Sequence, residues 1–310
     1  MIQIQWFPGH MNKARKALQE LISEIDVVIE VLDARAPFSS CNPLLQHIIK
    51  NKKIIKLLNK SDLADPERNK EWVEYFRKNN PNQVAILGCK DNGAQKAKII
   101  KQCHELAPNR NSYEKPLRVM ITGIPNVGKS TLINQLIGKK SAKTGDVPAV
   151  TKANQCLIVN DSFLIYDTPG MMWQRIAYPQ IGYNLAVCNS IGRNAIDEES
   201  ISLYLIDYLQ QYYPMFLHNR FKLKPQDLQL KSDELFLAIA KKRGCILQGG
   251  IIDKQKAAEI IIQEFRDGKI GAISLETPQQ WQQWIEDFIT TQQKIESLVN
   301  EDESTEDQLS

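Results

Sequence analysis

Gly123-Ile124-Pro125-Asn126-Val127-Gly128-Lys129-Ser130 is the stretch that decides the fold. It follows an apolar run, Leu117 to Thr122, that reads as a strand. It leads into Lys129 to Ile137, which reads as a helix. A strand, a turn bounded by glycines and a helix opening on Gly-Lys-Ser make a phosphate-binding loop. Gly123 and Gly128 let successive N–H groups converge, and the helix adds the positive end of its dipole. Asn126, Val127, Gly128, Lys129, Ser130 and Thr131 are the expected phosphate-binding set. Lys129 is assigned to the β- and γ-phosphates and Ser130 to Mg²⁺. A glycine-rich turn without a ligand is the alternative, and the strand–loop–helix context argues against it.

Downstream lies Asp167-Thr168-Pro169-Gly170 at the end of a second apolar run. Asp167 is placed to hold Mg²⁺ through water, and the Gly170 N–H to sense a γ-phosphate. Thr151 is the candidate switch threonine over Mg²⁺, with Thr144 as a nearby competitor, in a Gly/Ser/Thr/Pro-containing segment, 138–153, suited to a switch. Upstream lies Asn59-Lys60-Ser61-Asp62. The Asp62 carboxylate can accept from guanine N1–H and N2–H₂, whereas adenine would leave it unpaired. Asn59, Lys60 and Asp62 therefore read as the base site, with an ordinary polar turn as the competing reading. Gly88-Cys89-Lys90, after a third apolar run, stands where a backbone N–H would complete the base pocket, and Cys89 can equally be a small residue lining it.

The base-reading motif precedes the phosphate loop, reversing the Ras-like order. The implied fold class is α/β, a circularly permuted Ras-like P-loop GTPase domain with a C-terminal all-helical domain. Strands are expected at Asp26–Asp33, Lys53–Leu58, Gln83–Leu87 and Leu117–Thr122, with a hairpin at 154–167. Helices are expected at 10–25, from Pro66 and at 93–107. Their alternation argues a mainly parallel sheet with ligand loops at the C-terminal strand ends. Beyond 176 only helices are expected, at 197–212, 232–242 and 253–267. The expected organisation is a GTPase domain over 1–175, a helical domain over 176–285 and an acidic, flexible tail over 286–310.

The 310 residues carry a net charge of +3, which hides a gradient of +10 over 1–175, zero over 176–285 and −7 over 286–310. A basic nucleotide domain suits a polyanionic partner. The six cysteines are scattered without a Cys-x-x-Cys pair, which disfavours a zinc site or disulfide framework. Apolar runs fall short of the ~18 residues of a membrane span, and the first residues lack signal-peptide character. A cytoplasmic protein is expected, monomeric and without a membrane partner.

After Gly170 a Ras-like enzyme carries a water-orienting Gln; here Met171-Met172-Trp173 follow. Methionine cannot hold a water, so another group must, or turnover is slow. His10, in Trp6-Phe7-Pro8-Gly9-His10-Met11, is the candidate, because imidazole can polarise water near neutral pH. A helix-cap or surface histidine is the alternative.

Trp6-Phe7-Pro8-Gly9-His10-Met11, Asp33-Ala34-Arg35-Ala36-Pro37, the permuted order and Asp167-Thr168-Pro169-Gly170-x-x-Trp173 together resemble the YlqF/RbgA ribosome-biogenesis GTPases. Lys241-Lys242-Arg243-Gly244-Cys245 and Phe265-Arg266-x-Gly268-Lys269-x-Gly271 resemble that family's helical domain. The resemblance covers about 1–280 and implies that the helical domain over 176–285 binds RNA or the ribosome. It implies a GTP-hydrolysing factor for late assembly of the large ribosomal subunit, binding rRNA and stimulated by the particle, with His10 catalytic. It also links Asn126 to a K⁺ ion, beside Mg²⁺. Ala149, where a Gly is usual, Gln174, where a Pro is usual, and the acidic tail depart from the pattern. Arg193, Lys241, Lys242 and Arg243 are the candidate RNA contacts. Two other functions compete: a guanine-nucleotide-dependent binding module with negligible turnover, and an ATP-using enzyme, which Asp62 disfavours.

Overall fold

The computed structural model describes residues 18–49, 51–89, 93–138, 155–172, 176, 178–192 and 197–286. Its centre is β1 (Val27–Asp33), buried along its whole length as the run Val-Val-Ile-Glu-Val-Leu-Asp. β2 (Lys53–Asn59) and β3 (Gln83–Leu87) lie to one side of β1. On the other lie β4 (Leu117–Thr122), β6 (Phe163–Asp167) and β5 (Gln155–Asn160), giving the order β3-β2-β1-β4-β6-β5. All neighbours are parallel except the β5–β6 hairpin. The expected strands and the hairpin are therefore present, and β3 and β4 begin and end at the expected residues.

Helices connect the strands: α1 (Pro43–Ile49), α2 (Pro66–Asn79), α3 (Gly93–Leu106) and α4 (Lys129–Ile137). In α2 the Asp65 side chain accepts from the Glu67 and Arg68 N–H groups and Pro66 sits in the first turn, while Trp72 and Phe76 enter the core. The second half is helical: α5 (Pro179–Val187), α6 (Glu198–Tyr212), α7 (Pro214–Phe221), α8 (Ser232–Lys242) and α9 (Lys254–Arg266). Among its described residues the only β pairing is an isolated bridge, Ile246–Ile252. Sequence periodicity missed α1, α5 and α7. Each opens on a proline, which fits the first helical turn, and this was the available signal.

The sheet core runs from Val27 through Trp72 and Ile121 to Trp281 of a helical run at 278–286. The helical core gathers α6, α8 and α9 around Leu205, Ile239 and Ile261. α5 serves both, with Tyr183 and Leu185 in the first and Ala186 and Val187 in the second. One polar pair sits inside the sheet: Glu30 and Lys56, register partners on β1 and β2, are both buried, with Lys56 Nζ 2.5 Å from Glu30 Oε2.

Candidate guanine-nucleotide site

The site residues stand at the C-terminal edge of the parallel strands, because each chemical motif is the turn that ends a strand. Asp33 and Asn59 close β1 and β2 side by side as register partners. β4 ends at Thr122 and gives way to the phosphate loop, and β6 ends at Asp167.

Gly123 has φ +148, and a Cβ there would lie 2.5 Å from the Val31 carbonyl oxygen. Gly128 has φ +101, and its Cβ would lie 2.2 Å from Asn59 Nδ2. Both positions therefore require glycine, one for the strand behind the loop and one for the base-reading motif beside it. Gly128 caps α4, so Lys129, Ser130 and Thr131 form its first turn, with their N–H groups at the positive helix end. Lys129 Nζ reaches back inside the loop and donates to the carbonyls of Gly123 (3.1 Å) and Ile124 (2.8 Å).

The two motifs, remote in sequence, are stapled together. Asn59 Nδ2 donates to the Val127 carbonyl at 2.7 Å, and Lys60 Nζ donates to the Asn126 carbonyl at 2.8 Å. Asn126, with φ +60, donates from its own Nδ2 to the Asn189 carbonyl at 2.7 Å, tying the loop to the turn after α5. The base loop is held from three more sides. Ser61 N–H donates to the Gly88 carbonyl (2.9 Å), Asn69 Nδ2 to the Ser61 carbonyl (3.0 Å), and Ile273 N–H to the Leu63 carbonyl (3.0 Å). Asp62 itself is exposed. Gly88 N–H is engaged by the Leu58 carbonyl and Cys89 N–H by Gln95 Oε1 (3.0 Å), so both carry bonds within the chain.

Asp167 is buried beside the loop. Burial pushes its carboxyl up to about 6 against the pull of Lys129 and of the Thr168 N–H. Burial likewise lowers the Lys129 ammonium to about 8, opposed by Asp167. The low dielectric that shifts both groups also strengthens the charge interactions they make. Gly170 lies against the loop, where a Cβ would come 3.1 Å from Lys129 Nζ and from the Pro125 nitrogen. The following Met171 is pinned by its N–H to the Gly123 carbonyl (3.3 Å) and by Asn42 Nδ2 on its carbonyl (2.8 Å). Met171 and Met172 are both buried, as apolar residues at the water-orienting position would be.

Asn59, Lys60, Asp62, Gly88, Cys89, residues 126–131, Asp167 and Gly170 thus converge on one edge of the sheet. His10, Lys90, Thr151, Trp173 and Arg193 lie outside the described residues. Lys241 and Lys242 are exposed on α8. Arg243, partly exposed, pairs with Glu264, with Nη2 2.6 Å from Oε2, and its guanidinium lies 5.1 Å from the Phe221 ring centroid. Sequence reasoning gave no role to Asp33 and Arg35 and overlooked Asn42, Gln95, Asn189 and Glu276. Asp33 and Arg35 pair within one turn and Gln95 bonds nearby Cys89, but the link from Asp33 to Lys60 and the partners of Asn42, Asn189 and Glu276 lie far away in sequence.

A family model described as "RsgA GTPase" matches residues 10–176, and one described as "50S ribosome-binding GTPase" matches residues 118–242. Ribosome biogenesis GTPase A of Bacillus cereus is 38% identical over 302 residues, covering 95% of this chain and 99% of that protein. Mouse mitochondrial ribosome-associated GTPase 1 is 31% identical, covering 88% of this chain and 90% of that protein. Among solved structures, GDP-bound TM YlqF superposes with a TM-score of 0.64 at 27% identity, covering 84% of this chain and 99% of that one. GNP-bound YlqF from T. maritima gives 0.61 at 28%, covering 86% and 98%.

Proposed function

The chain belongs to the ribosome biogenesis GTPase A (YlqF/RbgA) family, and from that premise we propose that it binds and hydrolyses GTP as an assembly factor for the large ribosomal subunit. In this reading the subunit precursor stimulates an otherwise slow reaction. The observation that carries the nucleotide reading is the pair of bonds from Asn59 and Lys60 to the Val127 and Asn126 carbonyls, which fix the guanine-reading turn to the phosphate loop. The basic region over 1–175 and the helical region over 176–285 supply the surfaces for rRNA, and that contact weakens steeply with salt.

The residues fit Mg²⁺. Ser130 offers a hydroxyl oxygen and Asp167 a buried carboxylate, hard oxygens of the kind Mg²⁺ takes alongside phosphate and water, and Thr151, outside the described residues, is the proposed switch ligand. Among the described residues no cluster of three or more His, Cys, Asp or Glu could hold a metal ion, which suits an ion whose remaining ligands come from nucleotide and solvent. When bound, the ion neutralises charge developing on the β- and γ-phosphates. Lys129 and the first-turn N–H groups of α4 do the same from the protein side. Asn126, its amide oriented by Asn189, is the proposed K⁺ contact, and His10 the proposed water-orienting group. No described helix is long and apolar enough to cross a membrane.

A second reading, a nucleotide-dependent binding module with negligible turnover of its own, draws on buried Met171 and Met172 where a water-orienting side chain would stand. The test is GTP turnover by wild type and His10→Ala, alone and with purified large subunits, in KCl and in NaCl. Stimulation lost in His10→Ala with GTP binding intact supports the full proposal. Stimulation that survives removes His10 from catalysis. Absence of stimulation favours the module.

A further inference from the structure

Asp33-Ala34-Arg35-Ala36-Pro37 is absorbed by none of the chemistry above, yet it lies against the site. Asp33 is the last residue of β1 and is fully buried. Its Oδ1 accepts from Arg35 N (3.1 Å) and Arg35 Nε (2.9 Å). Its Oδ2 accepts from Arg35 Nη2 (2.8 Å) and from Lys60 Nζ (2.8 Å). The same Lys60 Nζ donates to the Asn126 carbonyl of the phosphate loop. A buried carboxylate thus holds one end of a three-part chain, Asp33–Lys60–Asn126. We propose that Asp33, oriented by Arg35, is a positioning residue that holds Lys60, and through it the guanine-reading turn, in register with the phosphate loop.

Three observations support this beyond proximity. Lys60 has φ +59, a left-handed conformation that a non-glycine residue keeps only when its surroundings fix it, and the two bonds of its ammonium are the fixing contacts. Burial of Asp33 would raise its carboxyl, but Arg35 and Lys60 outweigh it and hold the group ionised well below the usual carboxylate range, so the clamp stays charged at working pH. Arg35 is itself locked: its carbonyl accepts from Leu275 N–H at 2.7 Å and its guanidinium lies 5.1 Å from the Phe265 ring centroid. That last observation is also the case for a purely structural role, in which Asp33 and Arg35 merely fasten the end of β1 to the 273–276 segment.

A double-mutant cycle separates the two roles. The proposal rests on the guanine-nucleotide reading given above, so the readout is fluorescence titration with N-methylanthraniloyl-GDP, beside melting temperature without nucleotide. The proteins are wild type, Asp33→Asn, Lys60→Met and the double variant. Positioning through Lys60 predicts that Asp33→Asn weakens GDP binding roughly tenfold in the wild-type background but less than about twofold once Lys60 is methionine, because contacting residues couple. An equal loss in both backgrounds overturns the clamp and leaves Asp33 structural. Wild type that does not bind labelled GDP overturns the nucleotide reading, and the clamp's role with it. If Asp33→Asn does not fold, Arg35→Lys replaces it, since an ammonium keeps the charge but cannot reach both oxygens. A loss of about threefold that vanishes in Lys60→Met supports the proposal, and an additive loss again overturns it.

Discussion

Replacing Gly128 with alanine tests the central claim, that the phosphate loop and the base-reading turn are built against each other. Two costs add. A non-glycine residue at φ +101 is strained by about 1–3 kcal/mol. The new Cβ would fall 2.2 Å from Asn59 Nδ2, so the amide must move and its bond to the Val127 carbonyl breaks, costing about 1 kcal/mol more. The expected destabilisation is therefore about 2–4 kcal/mol. At roughly 2–3 °C per kcal/mol for a chain of this size, the melting temperature should fall by about 4–12 °C. The assay is thermal unfolding without nucleotide, with Gly244→Ala as the control. Gly244 also has positive φ, +66, but is exposed with nothing within 4 Å of its Cβ, so it should lose only about 1–2 kcal/mol. If the two variants melt within a degree of each other, the contact between Gly128 and Asn59 carries no energy and the reasoning fails.

Other expectations follow from the same geometry. Asp62→Asn should abolish tight GTP binding and restore binding to xanthine nucleotides, read by competition against labelled GDP and XDP; unchanged guanine preference would remove Asp62 from base recognition. Glu276, fully buried, accepts from Phe38 N, Ser39 N, Ser39 Oγ and Asn184 Nδ2. Glu276→Ala strands those donors and should cost about 3 kcal/mol or more, with Glu276→Gln losing less in a denaturant titration. For Asp167, the folded pKa of about 6 lies above the ordinary 3.8, so between those values the folded chain keeps a proton that the unfolded chain has released. Its contribution to stability without nucleotide is greatest below pH 4 and declines as pH rises to about 6. Mg²⁺ requires the ionised form, so Mg²⁺-dependent nucleotide affinity should fall below pH 6 by up to about tenfold per pH unit, as calorimetry at stepped pH would show. A flat profile would mean that Asp167 does not serve the ion.

The parts of this protein that local sequence governs were legible in it. The apolar runs of β1 and β4, the glycines of the phosphate loop and the order of the motifs specify strands, a tight turn and a permuted nucleotide fold, because each depends on residues within a few positions of one another. Gly123 and Gly128 were legible as a pair for the same reason. Helices α1, α5 and α7 escaped because they are short and lack a clean apolar period, and are held by tertiary packing more than by propensity.

What only the tertiary structure decided is who meets whom. The sequence placed Asn59 and Lys60 in a base-reading turn, but not their bonds to the Val127 and Asn126 carbonyls. It marked Asp33 and Arg35 as part of a motif, but not that their ion pair ends on Lys60. It offered Arg243 as an RNA contact, but not its ion pair with Glu264. Glu276 passed as one more acidic residue until the chain brought it beneath Phe38 and Ser39. Hydrogen bonds and ion pairs between distant segments depend on how strands line up and how helices dock. A side chain's local pattern records its own backbone, and its partner is fixed only when the sheet and the helical body close around both.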